Sequence, residues 1–190
     1  MSDRYRPVSE TVLADDWGRL TKHVFYYRRR DGTWDRQVRE VYDRGHGACC
    51  LLHDPLADTV LLTRQFRLPM QVTEQDPFVV EVPAGLLDGA APADRIRDEL
   101  MEETGYRGTA IRHVTDLIMS PGSVSEYLAC FVGRYDRGDQ AGRGGGAPDE
   151  GEDIEVIHMP LADALAGVAD GTIRDAKTAF LIQHLALSRR

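Results

Sequence analysis

Polar and apolar residues alternate along much of the chain, with the period of two that is typical of β-strands. In the N-terminal part the alternation covers 20–30 and 34–43, and the Asp-Gly-Thr turn at 31–33 between them predicts a β-hairpin. The same criteria, together with runs apolar enough to be buried, predict further strands at 47–54, 59–67, 78–83, 109–119, 124–135 and 154–160.

Three segments follow the helical period instead. The clearest is 92–106, which starts at Pro92, a residue suited to the first helical position, and stops at Gly105. Two further helices are predicted at 161–171 and 176–187. Many strands with few helices predict an α+β fold on a mixed sheet rather than a doubly wound parallel sheet.

Composition narrows the class of protein. The chain has 190 residues, 42% of them hydrophobic and 28% charged, which suits one ordinary globular domain. Its net charge of −8 gives no general attraction for nucleic acid or an anionic membrane, and no apolar run is long enough for a membrane span. Three cysteines, two of them adjacent in an apolar strand, and a polar start predict reduced thiols and a cytoplasmic location.

The segment 136–153 is too rich in glycine and charge to contribute to a core, so it predicts a mobile loop. Its glycines resemble a phosphate cradle, but no Gly-Lys-Ser/Thr follows them, which argues against a P-loop. We interpret them as hinges that let the loop close over a substrate.

Negative charge is concentrated at the end of the clearest helix. Carboxylates occur there at Asp98, Glu99, Glu102 and Glu103. The three glutamates crowd one helix face, where like charges repel. From the helix alone two interpretations are open: a solvated charged face with Arg95 and Arg97 as neighbours, or a site for a hard cation such as Mg²⁺ or Mn²⁺.

The residues before the helix favour the cation site. The segment 84–106 resembles the Nudix box, the signature of hydrolases that cleave nucleoside diphosphates linked to another group. Gly85 opens the box, and it is closed by Glu99, Leu100, Glu102, Glu103, Gly105 and Tyr106. The box is one residue short, and Ala91 and Asp98 replace a glutamate and an arginine that usually brace the loop against the helix. The bracing must therefore differ, with Arg95 or Arg97 as the candidates.

The resemblance extends over nearly the whole chain from about residue 17. It is strongest to the GDP-mannose pyrophosphatase branch, close to the ADP-ribose pyrophosphatases, and it is carried by 39–48, 64–67, 119–122, 151–156 and 171–178. It implies an α/β/α Nudix sandwich with a mixed sheet, preceded by a small antiparallel N-terminal β-subdomain. The implied domains are a dimerisation region at 1–43 and a Nudix hydrolase domain at 44–190.

The resemblance also implies a metal site and a catalytic group. The metal residues would be Ala84, through its backbone carbonyl, and Glu99, Glu102, Glu103 and Glu152. Mg²⁺ is the expected ion and Mn²⁺ a possible one. Glu152 or Glu103 would take the proton of the attacking water. Judged by composition alone, Glu152 is one more acid in a polar loop.

Substrate contacts are implied for Trp17, Arg39, Glu40, Arg67, Gly85, Glu126 and Lys177. Arg67 would clamp the diphosphate with its forked guanidinium, and Arg39 and Glu40 would reach the site of a second subunit across a homodimer. Five of them also have a simpler interpretation. Arg67 could be an exposed strand-end arginine, Arg39 and Glu40 could lie on an ordinary sheet edge, Lys177 could be a helix-start lysine, and Trp17 could be an N-terminal aromatic packed on the domain.

The activity implied is Mg²⁺-dependent hydrolysis of a nucleoside diphosphate sugar, from GDP-mannose to GMP and mannose 1-phosphate. ADP-ribose is the alternative substrate, and a ligand-sensing Nudix domain without catalysis is the alternative class. The box glutamates are intact, which argues against a Nudix domain without catalysis. His46 and His53 flank Cys49 and Cys50 without a standard ligand spacing, so zinc is not expected.

Overall fold

The structure is a computed structural model that describes residues 3–147, 149 and 151–189. The loop predicted at 136–153 and the domain limits predicted at residues 1 and 190 therefore extend to positions outside the described ones. The strands are β1 (Tyr5–Asp15), β2 (Arg19–Arg28), β3 (Trp34–Asp43), β4 (Gly47–Asp54), β5 (Thr59–Phe66), β6 (Phe78–Glu81), β7 (Ala84–Leu86), β8 (Thr109–Leu117), β9 (Leu128–Arg134) and β10 (Glu155–Pro160). The helices are α1 (Leu68–Val72), α2 (Pro92–Glu99), a π-helical turn (Leu100–Thr104), α3 (Leu161–Asp170) and α4 (Ala176–Ser188).

The described residues up to His46 form one compact unit together with Ile118–Tyr127. Its three strands form an antiparallel sheet in the order β1-β2-β3, and β2 and β3 form the hairpin that the Asp-Gly-Thr turn predicts. Tyr42 on β3 holds the separate segment through backbone bonds to Ser123 and Ser125 of 2.8 and 3.1 Å. The domain limits 1–43 and 44–190 remain a prediction.

The second unit comprises Gly47–Leu117 and the described residues from Leu128 onward. Its sheet runs in the order β10-β5-β4-β9-β8, with β6 added to β5 and β7 added to β4. The β4–β9 pair is parallel and the others are antiparallel, so the sheet is mixed as predicted.

Helices cover both faces of this sheet. Ala48, Cys50 and Leu52 of β4 share a buried core with Ile96 and Leu100 from the α2 side. The alternate residues of a strand point to the opposite face, where α4 contacts β4 and β9. The result is the predicted α/β/α arrangement. None of the described helices has the length and apolar composition needed to cross a membrane.

The acidic helix has two parts. Its α-helical turns run from Pro92 to Glu99, and Leu100–Thr104 then form a π-helical turn that ends at Gly105, whose φ of 76° is left-handed. The start at Pro92 and the stop at Gly105 are confirmed, whereas the sequence does not predict the π-helical turn. Single π-helical turns are rare and occur frequently at functional sites.

Candidate active site

Burial separates the carboxylates of the acidic helix into two groups. Glu99 and Glu103 are 5% and 2% exposed, whereas Asp98 is exposed and the Glu102 side chain is 49% exposed. Charged side chains are almost never this buried unless something compensates their charge. The interpretation as a fully solvated charged face is therefore wrong for Glu99 and Glu103.

Glu103 is the least compensated of these acids. Its Oε2 atom is buried and has no hydrogen-bond partner among the described residues. Burial raises the pKa of Glu103 well above its usual value, and the negative charges of Glu99 and Glu152 raise the pKa further. The cation of Arg67 acts in the opposite sense. These influences place Glu99, Glu103, Glu152 and Arg67 in one electrostatic neighbourhood.

Arg95 supplies the bracing that the shortened box needs. Its Nε atom donates to the carbonyl of Leu86 at 3.0 Å, and its guanidinium forms a close ion pair with Glu99. It thereby ties the strand before the helix to the helix itself. Arg97, the other candidate, pairs with Asp94 at 3.1 Å on an exposed surface.

Gly85 allows Glu99 to approach the backbone. A Cβ atom at this position would lie 1.7 Å from Oε1 of Glu99, so no larger residue fits without moving that carboxylate. Ala84, whose carbonyl is a predicted metal ligand, precedes it at the start of β7 and is paired with Cys49 of β4. The short strand therefore holds both box residues against the central sheet.

The Gly-rich loop is bonded to the end of the acidic helix. The N–H groups of Gly145 and Gly146 donate to the carbonyls of Glu103 and Glu102 at 2.8 and 3.1 Å. These bonds satisfy carbonyls that a helix end leaves without partners. A Cβ atom on Gly144 would lie 2.5 Å from the carbonyl carbon of Thr104. The prediction of a mobile loop therefore needs correction for this part, where glycine permits close docking.

The docked loop brings Glu152 to the acidic helix. Its Oε2 atom accepts a hydrogen bond from the N–H of Ala147 at 2.9 Å, and its charge acts on Glu103. Glu152 is therefore close enough to influence Glu103 electrostatically, and its role as a metal ligand or catalytic group remains a prediction. Closure of the loop over a substrate remains a prediction.

The donor set suits a hard divalent cation. The carboxylates of Glu99, Glu103 and Glu152 and the carbonyl of Ala84 are oxygen ligands of the kind that Mg²⁺ and Mn²⁺ take. In the part of the chain that the structure describes, no three His, Cys, Asp or Glu side chains are gathered as a ligand set. Glu99 is paired with Arg95, and Glu152 with a backbone N–H of its loop. The metal role of these residues therefore remains a prediction.

Arg67 and Lys177 are brought together by a residue that the sequence analysis missed. Glu81, at the end of β6, accepts hydrogen bonds from Arg67 Nε and Lys177 Nζ, both at 2.7 Å. Asp175 accepts a second bond from Lys177 at 2.9 Å. The available signal was the charged residue within the apolar run 78–83.

The remaining residues predicted to contact the substrate lie in the first unit. Trp17 is 76% exposed, and the guanidinium of Arg44 lies 5.5 Å from the centre of its ring. Arg44 also approaches the half-buried Glu126, with 3.6 Å between Nε and Oε1. Arg44 thus connects two predicted contact residues, and no sequence signal identified it. Arg39 and Glu40 are exposed on β3.

Fold and site together define the class of protein. A mixed sheet between helices, with a box that opens at Gly85 and ends in an acidic helix, is the arrangement of a Nudix hydrolase. A solved structure titled "Crystal structure of ADP compounds hydrolase" has the same fold, with a TM-score of 0.76, 17% identity, and coverage of 98% of this chain and 96% of the other. The family model described as GDP-mannose pyrophosphatase NudK N-terminal domain matches residues 4–42.

Whole-chain relatives define the branch. The GDP-mannose pyrophosphatase of Pectobacterium atrosepticum is 44% identical over 97% of this chain and 95% of its own length. That of Cronobacter sakazakii is 43% identical over 98% and 97%. The chain belongs to the GDP-mannose pyrophosphatase family of Nudix hydrolases.

Proposed function

We propose that this enzyme hydrolyses the diphosphate bond of GDP-mannose in a Mg²⁺-dependent reaction and releases GMP and mannose 1-phosphate. The substrate is supported by relatives of that name that match along the whole chain. The chemistry is carried by one observation, the buried and unpartnered Oε2 atom of Glu103 within a group of carboxylates. Mn²⁺ is an alternative ion with the same ligand preference.

The residues of the second unit have three proposed roles: they bind the phosphates, hold the cation and accept a proton. Arg67 and Lys177 offer cationic donors to the two phosphate groups. Glu99, Glu103 and Glu152, with the carbonyl of Ala84 and Glu102 nearby, would hold the cation, which when bound neutralises the diphosphate and makes a water molecule more acidic. Glu152 or Glu103 accepts the proton of the attacking water, since crowding among carboxylates favours a protonated member.

In the first unit, the exposed ring of Trp17 offers a stacking surface for a nucleobase, and Glu126 offers an acceptor for base N–H groups. Arg39 and Glu40, also in the first unit, would reach the site of the partner subunit, and Gly85 of the second unit completes the proposed contacts. A cytoplasmic location and the absence of nucleic-acid partners remain predictions from composition.

The activity is tested by incubating the purified protein with GDP-mannose and Mg²⁺ and separating the products. We expect GMP and mannose 1-phosphate in equal amounts, and no hydrolysis when a chelator replaces Mg²⁺. ADP-ribose is assayed in parallel. Faster release of AMP than of GMP would show that the alternative substrate is the preferred one, and binding of both nucleotides without products would support a ligand-sensing protein.

We further propose that the protein is a homodimer formed through its N-terminal strands. Strand β1 is exposed along its whole length, and the exposed hydrophobic residues of the three-stranded sheet include Tyr5, Val8, Val12, Leu13, Tyr26, Tyr27 and Val38. Exposed apolar patches commonly mark interaction surfaces.

The dimer is tested by light scattering on a size-exclusion column. We expect the mass of two chains for the wild type and of one chain for Val12→Glu, because a charge would be buried in the interface. Thr11→Glu is the matched control, since it adds the same charge on the opposite face of β1, and it should remain dimeric. A wild type with the mass of one chain would contradict the proposal.

A further inference from the structure

Two cations of the proposed substrate site share one buried carboxylate. Glu81 is 6% exposed, and each of its carboxylate oxygens accepts from a different cation, Oε2 from Arg67 and Oε1 from Lys177. Both bonds are 2.7 Å long, which is the range of strong charge-assisted hydrogen bonds. Glu81 therefore sets the separation of the two cationic groups.

Lys177 is also held from a second side. Oδ1 of Asp175 accepts from its Nζ at 2.9 Å, while Oδ2 of Asp175 caps helix α4 by accepting from the N–H of Thr178 at 3.0 Å. Burial alone would lower the pKa of Lys177, but the charges and hydrogen bonds of Glu81 and Asp175 outweigh burial and raise the pKa. The ammonium group is therefore kept charged inside the protein.

The backbone that carries Glu81 is itself fixed. Its carbonyl accepts from the hydroxyl of Thr63 on β5 at 3.2 Å. The N–H of the next residue, Val82, donates to the hydroxyl of Thr178 on α4 at 2.8 Å. Strand β6 and helix α4 are thus joined at the carboxylate, which is the kind of support that a positioned functional group requires.

The network leaves donors free for an anion. The bond from Nε uses one of the five N–H groups of the Arg67 guanidinium, and the bonds to Glu81 and Asp175 use two of the three of Lys177. A buried ion pair is weak evidence for stability by itself, because desolvation offsets the attraction. The arrangement is better explained by the geometry that it imposes on the remaining donors.

We propose that Glu81 is a positioning residue that holds the Arg67 guanidinium and the Lys177 ammonium on one carboxylate, so that both cations face the same diphosphate, with Asp175 as a second anchor for Lys177. The proposal rests on the proposed function in so far as the diphosphate belongs to a nucleotide sugar. It predicts that loss of the Glu81 charge weakens substrate binding through the two cations, although Glu81 itself does not contact substrate.

The test compares Glu81→Gln with the wild type in two assays: steady-state hydrolysis of GDP-mannose, and calorimetric binding of inorganic pyrophosphate. We expect KM and the pyrophosphate Kd to rise about tenfold, the equivalent of one charge-assisted hydrogen bond, with kcat reduced less than about threefold. Thr59→Val is the matched control. It removes a buried hydroxyl from β5 that bonds Tyr135 at 2.9 Å, and it should leave KM and Kd unchanged.

A double-mutant cycle separates positioning from general destabilisation. In an Arg67→Ala background, Glu81→Gln should raise KM at most about threefold, because residues that act through one another are not additive. A tenfold rise in both backgrounds would overturn the proposal, as would an unchanged KM and Kd in a folded Glu81→Gln protein.

Three further outcomes also decide whether the proposal holds. If Glu81→Gln does not fold, Asp175→Asn replaces it, since asparagine remains a good helix cap while losing its charge toward Lys177; it should raise the pyrophosphate Kd about threefold, and no change would overturn the proposal.

If the wild type binds pyrophosphate but does not hydrolyse GDP-mannose, the proposed function fails, and a higher Kd for Glu81→Gln still supports the positioning role. A wild type that binds no pyrophosphate would overturn the positioning role of Glu81.

Discussion

Replacing Glu103 by Gln should lower kcat for GDP-mannose at least ~100-fold, the cost of removing a key electrostatic group from an active site. Gln keeps the shape of the side chain but cannot supply the charge of the buried Oε2 atom, which has no protein partner in the described structure. Initial rates at saturating GDP-mannose and Mg²⁺ measure the effect. An unchanged rate would remove Glu103 from the proposed metal site.

The matched control is Asp98→Asn, which removes the same charge from the same helix at an exposed position. Its rate should stay within about twofold of wild type, as for most surface substitutions.

Thermal unfolding in the presence of a chelator tests whether the Glu103→Gln variant is folded. The raised pKa of Glu103 means that the protonated form is the one the fold favours, so its stabilising contribution is present at low pH and is lost as the pH rises through the folded-state pKa. Gln resembles that form and should not lower Tm.

Replacing Gly85 by Ala should lower kcat about 100-fold, because a displacement of about 1 Å in a catalytic group can cost that factor. The added Cβ would overlap Oε1 of Glu99, 1.7 Å away, and the carboxylate would have to leave the place where Arg95 holds it. Gly122→Ala is the control, since a Cβ atom added at that glycine would meet no other atom within 4 Å. Equal rates for Gly85→Ala and wild type would show that Glu99 works from another position.

The sequence predicts those parts of the fold that depend on local pattern. The apolar runs of β4 and β5, the hairpin of β2 and β3, and the ends of the acidic helix at Pro92 and Gly105 all lie where their residues indicate. Strand β1 was missed because it is exposed throughout, so that it has no buried face to produce alternation, and because it contains Pro7. Such a strand is defined by its pairing with β2.

The site could be predicted where a motif carries it and not where distant residues meet. The box glutamates and Gly85 are recognisable from their order, whereas the choice of Arg95 over Arg97 depends on which side chain reaches Leu86. Glu81 and Lys177 are 96 positions apart, and only the packing of β6 against α4 shows that they are partners. The Gly-rich loop shows the same limit, because its docking on the helix end depends on carbonyls that the loop sequence does not reveal.

Divalent-ion binding by the carboxylates around Glu103 is tested most directly by calorimetric titration of the protein with Mn²⁺ and with Mg²⁺, each with and without GMP. We predict saturable uptake by the wild type and much weaker uptake by Glu103→Gln. Absence of uptake of either ion by the wild type, even with the nucleotide present, would contradict the proposed metal site.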